Sequence, residues 1–248
     1  MGHRRDDVGV PRFYVDAPLA AGTQCELPEE AAHHAVHVLR VRPGEAVTLF
    51  NGRGGEYAAR VASVHKKKIL VSIEEPLAVE RESPLHVVLV QGVSSGERME
   101  FTIRKAVELG VAEIRPVLAA SSVARPKGER AASRQAHWQR IAISACEQCG
   151  RNTVPPVREI GPVPGGAFDE GAQKLLLSPA ASLPLSRGLK REKQIVVAAG
   201  PEAGFDEREE AAFLKAGFEP VLLGPRVLRT ETAALAALAA LNALRGDF

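Results

Sequence analysis

From residue 85 onward, short apolar runs alternate with segments of helical periodicity, and that alternation leaves few architectures open. Residues 85–91 (LHVVLVQ) are apolar almost throughout, as expected of a strand buried on both faces. Residues 99–109 read as a helix, with Gly110 placed to stop it. A strand at 113–118 and a helix at 133–149 follow, the helix carrying Trp138, Ile141, Ala142 and Ala145 on one face. Strands at 174–177 and 195–199 precede a helix opened by Asp206, with Glu209 three residues on as in a capping box, and ended at Gly217. A short strand at 220–223 leads to a last helix at 230–244, with Leu235, Leu238 and Leu241 at helical spacing. This order predicts an α/β domain, a mostly parallel sheet covered by helices.

The first third has a different texture. Residues 12–15, 46–50, 56–64 and 69–73 are β-type runs. Asn51 to Gly55 (NGRGG) is strong turn chemistry, and Lys66, Lys67 and Lys68 suggest a second turn. Residues 28–39 read as one short helix. The expectation is a small β-barrel-like domain over 1–74, a charged, proline-bounded linker over 75–84, and the α/β domain over 85–248.

Charge matters here by position. The chain of 248 residues carries a net charge of +2. Between residues 121 and 160, seven basic residues (Arg125, Lys127, Arg130, Arg134, Arg140, Arg151, Arg158) face three acidic ones, so the rest of the chain is slightly acidic. Such a strip either tracks a phosphate backbone or is a solvated helix face. No run approaches a membrane span and no secretory leader pattern is present; with three cysteines, an odd number, the expected setting is a reducing cytoplasm.

Two loops follow apolar strands and precede helices: Gly200 to Gly204 (GPEAG) and Leu223 to Thr232 (LGPRVLRTET). Ligands bind at the carboxyl ends of strands in open α/β sheets. Neither loop matches a phosphate cradle such as GxxxxGK[ST] or GxGxxG, which disfavours ATP hydrolysis and an ordinary dinucleotide site. They suit a ligand held by main-chain groups around a base and ribose, or are simply tight connections. Cys146 and Cys149 form a C-x-x-C pair inside a helix; with only the distant Cys25 besides, zinc lacks ligands, and a redox site is the weaker reading. His33, His34 and His37 lack the acid of H-E-x-x-H and read as a polar face beside Arg40 and Arg42. Ser94-Ser95-Gly96 lacks the flanks of a nucleophile elbow.

In these segments the chain resembles the bacterial 16S ribosomal RNA uracil-N3 methyltransferases, the RsmE family of the SPOUT superfamily. The resemblance rests on PRFYV (11–15), HHAVHVLRVRPGE (33–45), RESPLHVVLVQGVSSGERMEFTIRKAVELGV (81–111), WQRIAISACEQCGRNTVPPV (138–157), GPEAGF (200–205) and LGPRVLRTETAAL (223–235). It implies a PUA-like RNA-binding barrel, a SPOUT-type parallel sheet with a C-terminal trefoil knot, a homodimer, no metal, and S-adenosylmethionine as methyl donor. The cofactor residues it implies are Leu177, Ser178, Pro179, Gly200, Pro201, Glu202, Gly204, Leu223, Gly224, Val227, Leu228, Thr230, Thr232 and Ala233. Arg12, Arg40, Arg42, Lys66, Lys67, Arg125 and Arg151 are the expected RNA contacts. Ala203 departs from the family's usual GPEGG loop, and strain would follow if that position needs positive φ.

The reaction so implied methylates N3 of a uridine in the small ribosomal subunit. The imide anion needs a positive neighbour, for which Arg229 is the first candidate and Arg226 the second. Glu202 and Glu231 are candidate proton acceptors, with solvent a third. The competing reading is a non-catalytic RNA-binding assembly factor that keeps the fold.

Overall fold

The computed structural model describes residues 9–65 and 68–248, so the expected RNA contacts Lys66 and Lys67 lie outside the described residues. Two compact units are present: Met1–Glu82 with Cys146–Val154, and Ser83–Ala145 with Pro155–Phe248.

The first unit holds β1 (Arg12–Tyr14), β2 (Gln24–Glu26), α1 (Glu29–His34), β3 (Ala46–Phe50), β4 (Glu56–His65) and β5 (Lys68–Leu77). They form a five-stranded sheet in the order β1-β3-β4-β5-β2, with β1 and β3 parallel and the other pairs antiparallel. The core collects Phe13, Leu49, Ile69 and Val71 from the strands and Ala32 and Ala35 from the helix. The helix expected over 28–39 is in two pieces: α1 runs on as a π-helical turn, Ala35–Leu39. Arg40 stops it at φ 54, the one described non-glycine residue with positive φ. A left-handed residue satisfies the last helical carbonyls, usually as glycine. Strand β5 extends to Leu77, three residues into the stretch expected as linker.

The segment Cys146–Val154, expected in the α/β domain, groups with the first unit because an ionic network ties it there. Buried Glu56 accepts from Arg12 and, at 3.1 Å, from Arg81. Arg12 also donates to Asn152 Oδ1 at 2.8 Å, and Arg81 to the Gly150 carbonyl at 3.1 Å. Arg151 donates from Nε to Glu82 at 2.9 Å, and the Tyr14 amide donates to Glu147 at 3.0 Å. Arg12 and Arg151, expected on an RNA face, are therefore internal: their side chains are 12% and 6% exposed. Stranding a buried carboxylate costs several kcal/mol, so these guanidinium groups hold the unit together.

The second unit holds β6 (His86–Gly92), α2 (Gly96–Glu108), β7 (Glu113–Leu118), α3 (Glu129–Cys149, whose last four residues count with the first unit), β8 (Gly161–Pro162), β9 (Gln173–Leu177), α4 (Leu185–Gly188), β10 (Gln194–Ala199), α5 (Glu207–Lys215), β11 (Glu219–Val221) and α6 (Thr230–Arg245). Its six strands are all parallel, in the order β11-β9-β10-β6-β7-β8. Strand β6 is buried on both faces from Val87 to Gly92, as its unbroken apolar run predicts. One face packs Val88, Val90, Val196 and Ala198 on Phe213 and Phe218. The capping box at Asp206 and Glu209 forms as expected, with bonds of 2.8 and 3.0 Å. Sequence reading missed β2, β8 and α4, each of four residues or fewer and too short to show a period.

Candidate functional site

The carboxyl ends of β9, β10 and β11, neighbours in the sheet, open into one cleft of about 340 Å³. Leu177, Ser178 and Pro179 line it from β9. Gly200, Pro201, Glu202, Ala203, Gly204 and Phe205 line it from β10. Leu223, Gly224, Arg226, Val227 and Leu228 follow β11, and Thr230 and Ala233 come from α6. Every expected cofactor residue except Thr232 lines this cleft; Thr232 is exposed elsewhere on α6. Of the two arginines, Arg226 lines the cleft, whereas Arg229 is exposed at the amino end of α6 and is not part of the lining.

Main-chain bonds shape the walls. The Ser178 amide donates to Val221 O at 3.1 Å, and Leu222 and Leu183 are joined at 2.8 Å. Polar side chains then tie the first glycine loop down. Gln91 Nε2 donates to Thr230 Oγ1 at 3.0 Å, and Thr230 Oγ1 donates onward to the Gly200 carbonyl at 2.5 Å. Both side chains are buried. Sequence reading missed Gln91: it lies at the end of an apolar strand, 139 residues from its partner, and no local signal marks it.

Glycine at 92 and 200 is a steric requirement. A Cβ on Gly92 would stand 2.4 Å from Pro201 Cδ, and one on Gly200 would stand 2.9 Å from Gly204 Cα. Gly204 takes φ +75 with open space around it. Ala203 is not at positive φ and its side chain is exposed, so alanine there adds no backbone strain. The left-handed conformation in the loop falls one residue later, where glycine is kept.

Glu202 reaches away from the loop. Its Oε1 accepts from the Ser95 amide at 2.8 Å and from Arg98 at 3.2 Å. Burial works against its charge, but the backbone amides, the Ser95 hydroxyl and Arg98 outweigh it and hold the carboxyl below the usual glutamate range. Its Oε2 is buried without a partner. A carboxylate so held is a weak proton acceptor and a good brace for the loop. Glu231, the other candidate acceptor, does not line the cleft.

The remaining motifs resolve differently. Cys146 is fully buried, and burial above all pushes its thiol up to about 12, which removes the thiolate that redox or zinc chemistry needs. Among the described residues no three His, Cys, Asp or Glu side chains converge as metal ligands. No described helix is long and apolar enough to cross a membrane. Arg40 and Arg42 are exposed on the first unit. Arg125 is turned onto its own loop, donating to the Ala119 and Ala120 carbonyls.

Comparison with known proteins bears on both units. A family model described as an RNA methyltransferase domain matches residues 81–242, and one described as an RNA methyltransferase PUA domain matches residues 27–74. Ribosomal RNA small subunit methyltransferase E of Buchnera aphidicola subsp. Acyrthosiphon pisum is 33% identical over 245 residues, covering 96% of this chain and 95% of that protein. The Bacillus subtilis protein of the same name is 31% identical, covering 88% and 91%. The crystal structure of the Neisseria gonorrhoeae methyltransferase E bound to S-adenosyl methionine superposes with a TM-score of 0.92 at 45% identity, covering 96% of this chain and 99% of that one. A Legionella pneumophila structure in complex with the same cofactor gives 0.88 at 40% identity, with the same coverage.

Proposed function

The chain belongs to the ribosomal RNA small subunit methyltransferase E family, and from that premise we propose that it transfers a methyl group from S-adenosylmethionine to N3 of a uridine in 16S ribosomal RNA. The observation that carries the reading is the cleft at the ends of β9, β10 and β11. Three strand-end loops with Gly200, Gly204 and Gly224 among their residues line it, and glycine at 92 and 200 lets the first loop lie close against β6, since a Cβ at either position would strike Pro201 or Gly204. These features fit a nucleoside-bearing cofactor. The main chain of Leu177 to Pro179, Gly200 to Gly204 and Leu223 to Leu228 would hold it.

When bound, the cofactor supplies an electrophilic methyl on a sulfonium. The chain's own part is alignment and charge. Holding the uracil edge beside the cleft accounts for most of the acceleration. The imide must lose its proton, and Arg226, which lines the cleft, stabilises the resulting anion in this reading. Arg229, at the head of α6, supports the same field from outside the lining. Glu202 keeps the first loop in place through Ser95 and Arg98 and leaves the proton to solvent. Exposed Arg40 and Arg42 of the PUA unit contact the RNA, and the knot, a homodimer and a cytoplasmic setting complete the proposal. The non-catalytic alternative is disfavoured by the intact glycine loops.

Incubation of the full chain with methyl-labelled S-adenosylmethionine and small ribosomal subunits lacking the modification tests the reading. The expected product is 3-methyluridine in 16S RNA. Cofactor binding without transfer would favour the assembly-factor alternative.

A further inference from the structure

The basic strip over 121–160 does not act as a whole. Arg151 is buried against Glu82, Arg158 is bound to Glu113 at 2.9 Å, and Arg125 serves its own loop. Of the four others, three stand together: Lys127, Arg130 and Arg134 line a groove of about 1130 Å³ in the second unit, formed by the loop after β7, the start of α3 and the first turns of α2, and Arg140 does not line it. None of the three has an ion-pair partner among the described residues. Glu100, Glu129 and His137 also line the groove, and His137 is bound to Glu100 at 3.1 Å. One of the two acids is therefore already engaged, and the floor is Trp138, 1% exposed.

The groove and the cofactor cleft have no lining residue in common, but hydrogen bonds tie their flanking segments together at two places. Ser95, whose amide binds cleft-lining Glu202, is followed directly by groove-lining Gly96. Ser121 donates to the carbonyl of cleft-lining Gly204 at 2.6 Å, and the Ala120 amide to Glu209 at 2.6 Å. Ala124 and Arg125, a few residues on, line the groove. The loop after β7 is thus pinned to the cofactor loop at one end and shaped by Arg125 at the other.

We propose that this groove holds the phosphodiester backbone of the RNA substrate, with Lys127, Arg130 and Arg134 as the phosphate contacts, and so sets the target base at the cleft. The proposal rests on the RNA methyltransferase reading, and it names where that substrate's backbone lies. Partnerless cations in a concave site next to the reacting centre are the arrangement that backbone recognition requires, because phosphate contacts position a nucleic acid without reading its sequence. Mobile counterions released on binding then make affinity depend on salt.

The test compares the intact chain with the triple variant Lys127→Ala, Arg130→Ala, Arg134→Ala. Affinity for naked 16S RNA and for small subunits is measured across a salt series, with cofactor affinity by calorimetry and methyl transfer alongside. The variant should keep cofactor affinity within about twofold, lose at least about tenfold in RNA affinity, and show a salt slope shallower by roughly two to three counterions. Its KM for RNA should rise far more than its kcat falls, and Arg130→Lys with Arg134→Lys should restore binding. Unchanged RNA affinity and salt slope would overturn the assignment. So would loss of affinity for the particle with normal affinity for naked RNA, which would assign the groove to a ribosomal protein. A wild-type chain that binds RNA through the groove but transfers no methyl would instead contradict the enzymatic reading alone.

Discussion

At the scale of single residues, the cofactor loop separates two kinds of constraint. Gly200 is fixed by contact with backbone, so Gly200→Ala must displace Gly204 or Phe205. Calorimetry should record at least about a tenfold loss of cofactor affinity, on the order of 1.4 kcal/mol. Ala203→Gly, which restores the family's usual loop, should change affinity by less than about twofold, because no strain is present to relieve. Arg226→Ala should lower kcat by roughly 10²–10³-fold with cofactor affinity retained, and Arg229→Ala by less, as expected when one charge-stabilising group is removed. Equal effects of the two on turnover would show that lining the cleft does not decide the role. Acid stability belongs to this scale as well. Burial opposes the charge of Glu113, but bonds to Arg158 and Arg115 hold its carboxyl below the ordinary glutamate range. A depressed carboxyl stabilises the fold above the unfolded-state value, and that contribution is lost as pH falls through the folded value. Urea titrations should therefore show Glu113→Gln losing stability at neutral pH while converging on wild type on the acid side of the glutamate range.

At the scale of elements, much was legible because period and punctuation agree. The apolar run of β6, the capping box of α5 and, β8 and α4 apart, the strand–helix order from β6 to α6 stand where pattern and end signals place them. The two glycine loops were legible as strand-end loops, and thirteen of the fourteen expected cofactor residues line one cleft. What stayed illegible is long-range. Gln91 and Thr230 meet across 139 residues, and the polar ties that hold Cys146–Val154 to the first unit join residues 69 and 139 positions apart. Composition marked Arg12 and Arg151 as cations without marking the carboxylates, Glu56 and Glu82, that claim them. Thr230→Val keeps the side chain's shape and removes its bonds to Gln91 and Gly200. Gln91 Nε2 keeps the Gly92 carbonyl at 3.1 Å, so losing the two Thr230 bonds should cost about 1 kcal/mol in urea unfolding, with a parallel loss of cofactor affinity. A loss of stability with normal cofactor binding would separate the Thr230 tie from the site.

At the scale of the whole molecule, the division into units changes how the proposed RNA contacts of the PUA unit are tested. Removing the residues before Pro84 would also strip the partners of Glu147 and Arg151, which lie in the α3 end and the segment after it. The PUA unit is better probed on the intact chain. Arg40→Ala with Arg42→Ala should weaken binding to small subunits and leave cofactor affinity unchanged, since both side chains are exposed and neither lines the cleft. Arg40→Gly should preserve or raise stability, because φ 54 suits glycine better than arginine. Mass spectrometry of 16S RNA decides whether two RNA-handling units and a cofactor cleft make one methyltransferase. Small subunits lacking the modification are treated with the pure chain and S-adenosylmethionine. A single added methyl, on N3 of one uridine, is the predicted result. Cofactor bound at the cleft with no methyl on the RNA, or a methyl on a ribose or another base, would contradict it.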